Sequence, residues 1–232
     1  MDTPTTPPAP PAPLPGIEIE TGPSPERAVI WLHGLGADGN DFVPVVQALD
    51  MDRLPPTRFI LPHAPSRPVT VNGGYVMPAW FDIYSLEFGN RREDAEGIAA
   101  SAAQVEAFIA RENARGIEDR HIVLAGFSQG GAIVLHAGLR HPRRLAGVLA
   151  LSTFVPLAAE ANAANRDLPV FMAHGEEDPV IPHDFGRISG DILQAMGYPL
   201  RWRSYPIEHA VCMEEIRDLE DWLAEVLGDA GP

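Results

Sequence analysis

A single cysteine, Cys212, stands in the whole chain, so no internal disulfide can form and no oxidising compartment is implied. No apolar run approaches the ~20 residues that a membrane-spanning helix needs. The N-terminus lacks both a basic n-region and an apolar h-region, so no secretory signal is read there and a cytoplasmic location is the expectation. Basic residues are few, 17 against 32 acidic, for a formal net charge of −15. That balance argues against nucleic acid or an anionic membrane as partner, since either calls for a basic face. Neither H-E-x-x-H nor clustered His/Asp spacing is present, so no metal and no cofactor are expected. What remains is ordinary: 45% apolar and 21% charged residues in 232, enough for one α/β domain with a full core.

Met1 to Pro15 is dense in proline and almost without large apolar groups. Such a stretch cannot bury enough surface to offset its ordering entropy, so residues 1–16 are expected to be a disordered tail ahead of a single domain, 17–232. Ile17 to Glu20 alternates apolar and acidic residues, as a short edge strand would. Continuous apolar runs then read as buried strands at Ala28–Leu32, Arg58–Pro62, Ile122–Ala125, Gly147–Ser152 and Pro169–His174, with Leu200–Tyr205 after them. Helical patterns lie between, at Phe42–Leu49 (capped by Asn40-Asp41), Glu93–Asn113, Ala132–Leu139 and Asp184–Met196, and finally at Val211–Leu227. Arg67 to Phe88 reads as a long irregular region, of the kind that walls a pocket. Strands alternating with helices predict a mostly parallel sheet covered on both faces.

The most informative stretch is His121 to Gly131, HIVLAGFSQGG. A buried strand runs directly into Gly126-Phe127-Ser128-Gln129-Gly130, a G-x-S-x-G pattern, and a helix follows. A serine thrown out on a sharp strand-to-helix turn needs neighbours without a Cβ, because the backbones beside it come very close. Ser128 is therefore the candidate nucleophile.

A serine hydroxyl needs a base, and the base an orienting acid; in this architecture the chain order is Ser, then Asp or Glu, then His. Of the eight histidines, His174 precedes every candidate acid and His183 is explained by capping a helix. His209 follows the last strand by a short loop and is the candidate base. In the loop after the strand ending at His174, Glu176 and Glu177 are expected to face water, while Asp178, backed by Pro179, suits a rigid orienter and is the candidate acid, with Glu177 second. Acyl transfer also needs donors for the oxyanion. The N–H of Gln129 is one, and Leu35, in the glycine-rich loop His33-Gly34-Leu35-Gly36, supplies the other. A phosphate-binding reading of that loop fails, because no acidic strand end follows about twenty residues later. Met77, Trp80, Phe81, Phe127 and Val180, with Leu35, are the candidates to line an acyl groove. Cys212, beside the last helix, reads as a buried structural thiol.

Seven segments together resemble one family: HGLGADGNDF, RPVTVNGGYVMPAWFDI, EDAEGI, GFSQGGAI, LSTFVP, HGEEDPVIP and YPIEHAV. They look like the bacterial carboxylesterase and acyl-protein thioesterase/lysophospholipase family, over nearly everything from Ala28 to Leu227. The resemblance implies an α/β-hydrolase fold without a large lid domain. It also implies Ser128, Asp178 and His209 as triad, with Leu35 and Gln129 as oxyanion donors. One departure is visible: Pro206-Ile207-Glu208 stands before His209, where many relatives carry glycine, and Glu208 is expected to point to solvent. The leading expectation is a serine carboxylesterase acting on short- to medium-chain esters, a small-molecule substrate, through an acyl-enzyme. The alternatives are a thioesterase or lysophospholipase for long acyl chains and, in another class, a non-catalytic binding module. A homodimer is carried only by analogy with such folds.

Overall fold

The structure is a computed structural model that describes residues 11–85, 92–157 and 165–228. Nine strands and five α-helices are described: β1 (Gly16–Glu20), β2 (Arg27–Leu32), α1 (Val43–Ala48), β3 (Thr57–Pro62), β4 (Ser66–Val69), β5 (Tyr75–Pro78) and α2 (Ala95–Ala114), followed by β6 (Ile122–Phe127), α3 (Gln129–Arg140), β7 (Gly147–Leu151), β8 (Val170–Gly175), α4 (His183–Ala195), β9 (Leu200–Tyr205) and α5 (Met213–Leu227). Seven strands form one sheet in the order β1-β3-β2-β6-β7-β8-β9. Every pairing in it is parallel except β1 with β3, which is antiparallel from Gly16–Pro62 to Glu20–Arg58.

The parity of the strands divides the core. In β2, Ala28, Ile30 and Leu32 face the layer built with α2, α3 and α4. Val29 and Trp31 face the opposite layer, where α1 with the turn before it and α5 bring Phe42, Val46, Leu219 and Trp222. Both faces of the central strands are thus covered, which is why β2, β7 and β8 are buried at every residue. By contrast β1, at the edge, alternates exposed and half-buried residues.

Several expectations need correction. Residues 1–10 of the proline-rich start lie outside the described residues, and ordered pairing begins sooner than the expected boundary: the Pro15 carbonyl accepts from His63 N–H at 2.8 Å and Gly16 opens β1. The stretch expected to be irregular from Arg67 holds an antiparallel hairpin, β4 with β5, turning at Gly73 and Gly74 with φ 66° and 79° (residues 86–88 lie outside the described residues). A turn that needs two consecutive left-handed residues accounts for that pair of glycines. The first helix is not capped by Asn40-Asp41: a 3₁₀ turn, Gly39–Phe42, precedes it and is capped by Asp38, whose carboxylate accepts from Asn40 N–H at 2.7 Å, while Phe42 leads into the helix without a side-chain cap. His183 makes no cap; it is the first residue of α4 and its Nε2 lies 2.8 Å from Ser204 Oγ. Cys212 is half-buried and is itself the N-cap of α5.

Parallel strands share one carboxyl edge. The loops after β2, β6, β8 and β9 all emerge there, the usual place for ligands in an open α/β sheet.

Candidate active site

Ser128 sits between β6 and α3 with φ 53° and ψ −118°, a region that non-glycine residues occupy at a cost of about 1–3 kcal/mol. The surroundings hold it there. Ser128 N–H donates to the Leu151 carbonyl at 2.8 Å, and its own carbonyl accepts from Thr153 Oγ1 at 2.7 Å. Gly130 is required by close approach: a Cβ there would stand 2.4 Å from the Leu32 carbonyl oxygen. The helix therefore starts tight against β2, and Ser128 is held at its mouth.

Asp178 and His209 come together from the loops that follow β8 and β9. His209 Nδ1 lies 2.7 Å from Asp178 Oδ2. Asp178 Oδ1 accepts from Val180 N–H at 2.8 Å and Ile181 N–H at 2.9 Å, so the carboxylate is fixed by its own turn. The two loops are also tied to each other, Glu176 N–H to the Tyr205 carbonyl at 2.8 Å and Glu177 N–H to the Ile207 carbonyl at 3.1 Å. Asp178 is buried, while Glu176, Glu177 and Glu208 face water. The His209 ring packs on Phe127, the residue before the serine, with centroids 4.7 Å apart. That contact brings the imidazole to the turn that carries Ser128.

Leu35 and Gln129 border the same point. A Cβ on Gly34 would meet Ser128 Cβ at 3.5 Å, so the loop carrying Leu35 lies directly against the serine. Gln129 is the first residue of α3, and the first amides of a helix have no partner within it. Its side chain does separate work: Oε1 accepts from Trp80 N–H at 2.8 Å and Nε2 donates to the Phe81 carbonyl at 2.6 Å. Trp80 in turn donates from Nε1 to the His33 carbonyl at 2.8 Å. His33 Nδ1 lies 2.7 Å from the Gly34 carbonyl and its Nε2 accepts from Ala64 N–H at 3.1 Å, which fixes the tautomer with hydrogen on Nδ1. Burial pushes the His33 ring below its ordinary pKa, so it is neutral at pH 7. The serine turn, the Leu35 loop and the 79–83 segment are thus one hydrogen-bonded unit.

A cavity of about 200 Å³ opens beside Ser128 and Gln129. Leu35, Phe81 and Val180, named from the sequence, line it, together with Val71, Ile83, Phe154 and Ile181. Met77, Trp80 and Phe127 do not. Trp80 is buried in the core, Phe127 packs between Phe42 and His209, and Met77 lies against the Gly36 backbone. A larger recess, about 750 Å³, lies at the opposite edge of the sheet beside Arg27, Arg144 and Pro169. It holds no nucleophile paired with a base. Among the described residues, no group of three His, Cys, Asp or Glu side chains is placed to hold a metal ion.

Residues 15–227 match the family model described as phospholipase/carboxylesterase. The chain belongs to that family. Acyl-protein thioesterase 1 of Neurospora crassa is 40% identical over 211 residues, 86% of each chain. Acyl-protein thioesterase 1 of Cryptococcus neoformans is 42% identical over 228 residues, 88% of this chain and 95% of the relative. Among solved structures, acyl-protein thioesterase 2 of Zea mays superimposes with a TM-score of 0.82 at 29% identity, over 93% of this chain and 100% of that one. SOBER1 of Arabidopsis thaliana gives 0.81 at 27%, over 87% and 99%. The architecture is accordingly the α/β-hydrolase fold, and the protein is a hydrolase of the esterase and thioesterase class. No described helix is long and apolar enough to cross a membrane.

Proposed function

We propose that the protein cleaves acyl thioesters and esters through an acyl-enzyme on Ser128, with acyl-protein thioesters the favoured class. The observation that carries the chemistry is the 2.7 Å contact of His209 Nδ1 with Asp178 Oδ2 beside a serine held at φ 53°. Asp178 orients the imidazole so that Nε2 is free to take the Ser128 hydroxyl proton as Oγ attacks the acyl carbon. The oxyanion forms between the amides of Leu35 and Gln129, the latter at the positive end of α3. The imidazolium then protonates the leaving thiolate or alkoxide, and a water activated by the same ring releases the acid.

Substrate class rests on the relatives named as acyl-protein thioesterases, at 40 and 42% identity. A second reading, a carboxylesterase for short- to medium-chain esters, is favoured by the cavity. About 200 Å³ is small beside the ~300–1,000 Å³ of typical ligand pockets. A non-catalytic binding module has no use for an acid–base pair beside a strained serine.

The deciding experiment compares butyryl, octanoyl and palmitoyl substrates, each as thioester and as p-nitrophenyl ester, with Ser128→Ala alongside. Higher kcat/KM on the long thioesters supports the favoured class. A maximum at butyryl in both series turns the reading to the carboxylesterase, and undiminished turnover in Ser128→Ala overturns the acyl-enzyme altogether.

A further inference from the structure

His174 is the last residue but one of β8, four residues before Asp178, and its side chain is fully buried. Its Nε2 lies 2.9 Å from the Ile181 carbonyl oxygen and 3.3 Å from Asp178 Oδ2. A carbonyl oxygen only accepts, so Nε2 carries the hydrogen. Nδ1 has no hydrogen-bond partner among the described residues and rests on α4 at Gly186, where a Cβ would stand 2.3 Å away. Burial holds the ring below its ordinary pKa, so it is neutral at pH 7. The result is a fixed N–H dipole with its positive end beside a buried carboxylate.

Asp178 needs such a neighbour. Among the described residues its only ion-pair contacts are His174 and His209; no arginine reaches it. Its negative charge is held by the Val180 and Ile181 amides on Oδ1 and by His209 on Oδ2, with the His174 N–H dipole 3.3 Å from Oδ2. Three N–H groups are thus hydrogen-bonded to the carboxylate, while the His174 ring, whose hydrogen is donated to the Ile181 carbonyl, stands with its edge beside Oδ2. The positive end of that dipole stabilises charge on the oxygen that would otherwise be given wholly to His209.

We propose that His174 is a positioning residue: its Nε2–H, held by the Ile181 carbonyl, keeps the positive edge of the ring beside Asp178 Oδ2 and weakens that oxygen's pull on His209, setting the pH at which His209 becomes free to act as base. This rests on the reading of Ser128, Asp178 and His209 given above. The other titratable groups facing the ring are His183 from α4, with centroids 5.9 Å apart, and His209 from the last loop. From β9 the ring is covered by Trp202, stacked at 6.3 Å, over which Arg187 lies. Asp184 stands in solvent beside His183.

The test is the pH dependence of kcat/KM on p-nitrophenyl butyrate for the full chain, His174→Phe and His174→Gln. All three are also made in a His183→Gln background, which removes the titration of the neighbouring ring. Phenylalanine keeps the bulk and loses the donor, so the acid limb is expected to move up by about one pH unit. Glutamine returns an N–H to the Nε2 position and is expected to restore the original limb. A limb that stays put or moves down in a folded, active His174→Phe overturns the proposal. If His174→Phe does not fold, nitrogen-15 NMR of the unaltered protein decides: the His174 Nε2–H resonance is expected to shift as His209 titrates, and an Nδ1–H tautomer or an insensitive signal overturns it. An active Ser128→Ala would instead remove the underlying reading, so the two failures are distinct.

Discussion

Thr153, two residues beyond β7, donates its hydroxyl to the Ser128 carbonyl at 2.7 Å, clamping the serine turn to the neighbouring strand end. The same side chain packs against Gly131, where a Cβ would stand 2.7 Å from Thr153 Cγ2. Thr153→Val keeps the shape and loses the bond. Ser128 O retains the Ala132 N–H at 3.1 Å, so the stability loss is expected to be about 1 kcal/mol. The catalytic loss is expected to be larger, about tenfold in kcat, because the hydroxyl fixes the attacking group rather than the fold. Steady-state kinetics and denaturant unfolding on the same variant separate the two, and equal, trivial effects on both would refute the clamp.

Ser128 itself carries strain, with φ 53° and ψ −118°. Glycine occupies that region without penalty, so Ser128→Gly is expected to raise stability by about 1 kcal/mol after its own backbone entropy is counted. Ser128→Ala keeps the strain and is expected to leave stability nearly unchanged. Turnover is expected to fall about 10⁴-fold or more in either. Thermal unfolding of the three proteins measures this, and a glycine variant less stable than alanine would show that the conformation is not strained.

Much of this arrangement is legible in the residues because it is local. The parity of Val29 and Trp31 against Ile30 and Leu32 is the two-layer core in miniature. G-x-S-x-G between a buried strand and a helix marks the turn, and the chain order of Asp178 and His209 follows from the architecture. What was not legible depends on folding back through space. His174 is out of order as a base, and only the curl of residues 175–181 brings Asp178 alongside it. The Gln129 side chain reaches Trp80 and Phe81, 49 and 48 residues away in sequence, and nothing in its own segment signals those partners. Leu35, Phe81 and Val180 were legible as cavity lining, whereas Phe154 and Ile83, which come from opposite sides of the nucleophile in the chain, were not.

Asp178→Asn tests the orienter with little damage to its turn, because the amide oxygen can still accept from Val180 and Ile181. Its NH₂ cannot accept from His209 Nδ1–H, so the imidazole is expected to turn over to the wrong tautomer. The expectation is a fall of about 10⁴-fold in kcat with the unfolding midpoint nearly preserved. Loss of less than tenfold would remove Asp178 from the mechanism.

Phe154 is buried, packs on Phe185 with centroids 5.4 Å apart, and lines the cavity beside Ser128. Phe154→Ala lengthens that cavity at a stability cost of about 3–5 kcal/mol. Each methylene newly buried is worth about 0.8 kcal/mol, so kcat/KM for a dodecanoyl over a butyryl ester is expected to rise about tenfold or more. An unchanged ratio would mean that the acyl chain leaves by another route.

Glu215 lies buried in the first turn of α5, with Oε1 unpartnered among the described residues. Burial pushes its carboxyl up to about 8, against the pull of the Cys212 backbone hydrogen bond and with repulsion from Asp218 added. Since the folded value lies above the unfolded one of 4.5, the folded protein retains a proton that the unfolded chain has released. The stability this contributes is complete below that lower value and is lost as pH rises towards the upper one. Glu215→Gln has nothing to release there, so it is expected to gain on the unaltered protein as pH rises, by about 1–3 kcal/mol near pH 8. Histidines titrating in the same range are common to both proteins and cancel in the difference. Urea unfolding of the pair at about pH 5 and about pH 8 measures that difference, and one that is the same at both values would place the Glu215 carboxylate in contact with water.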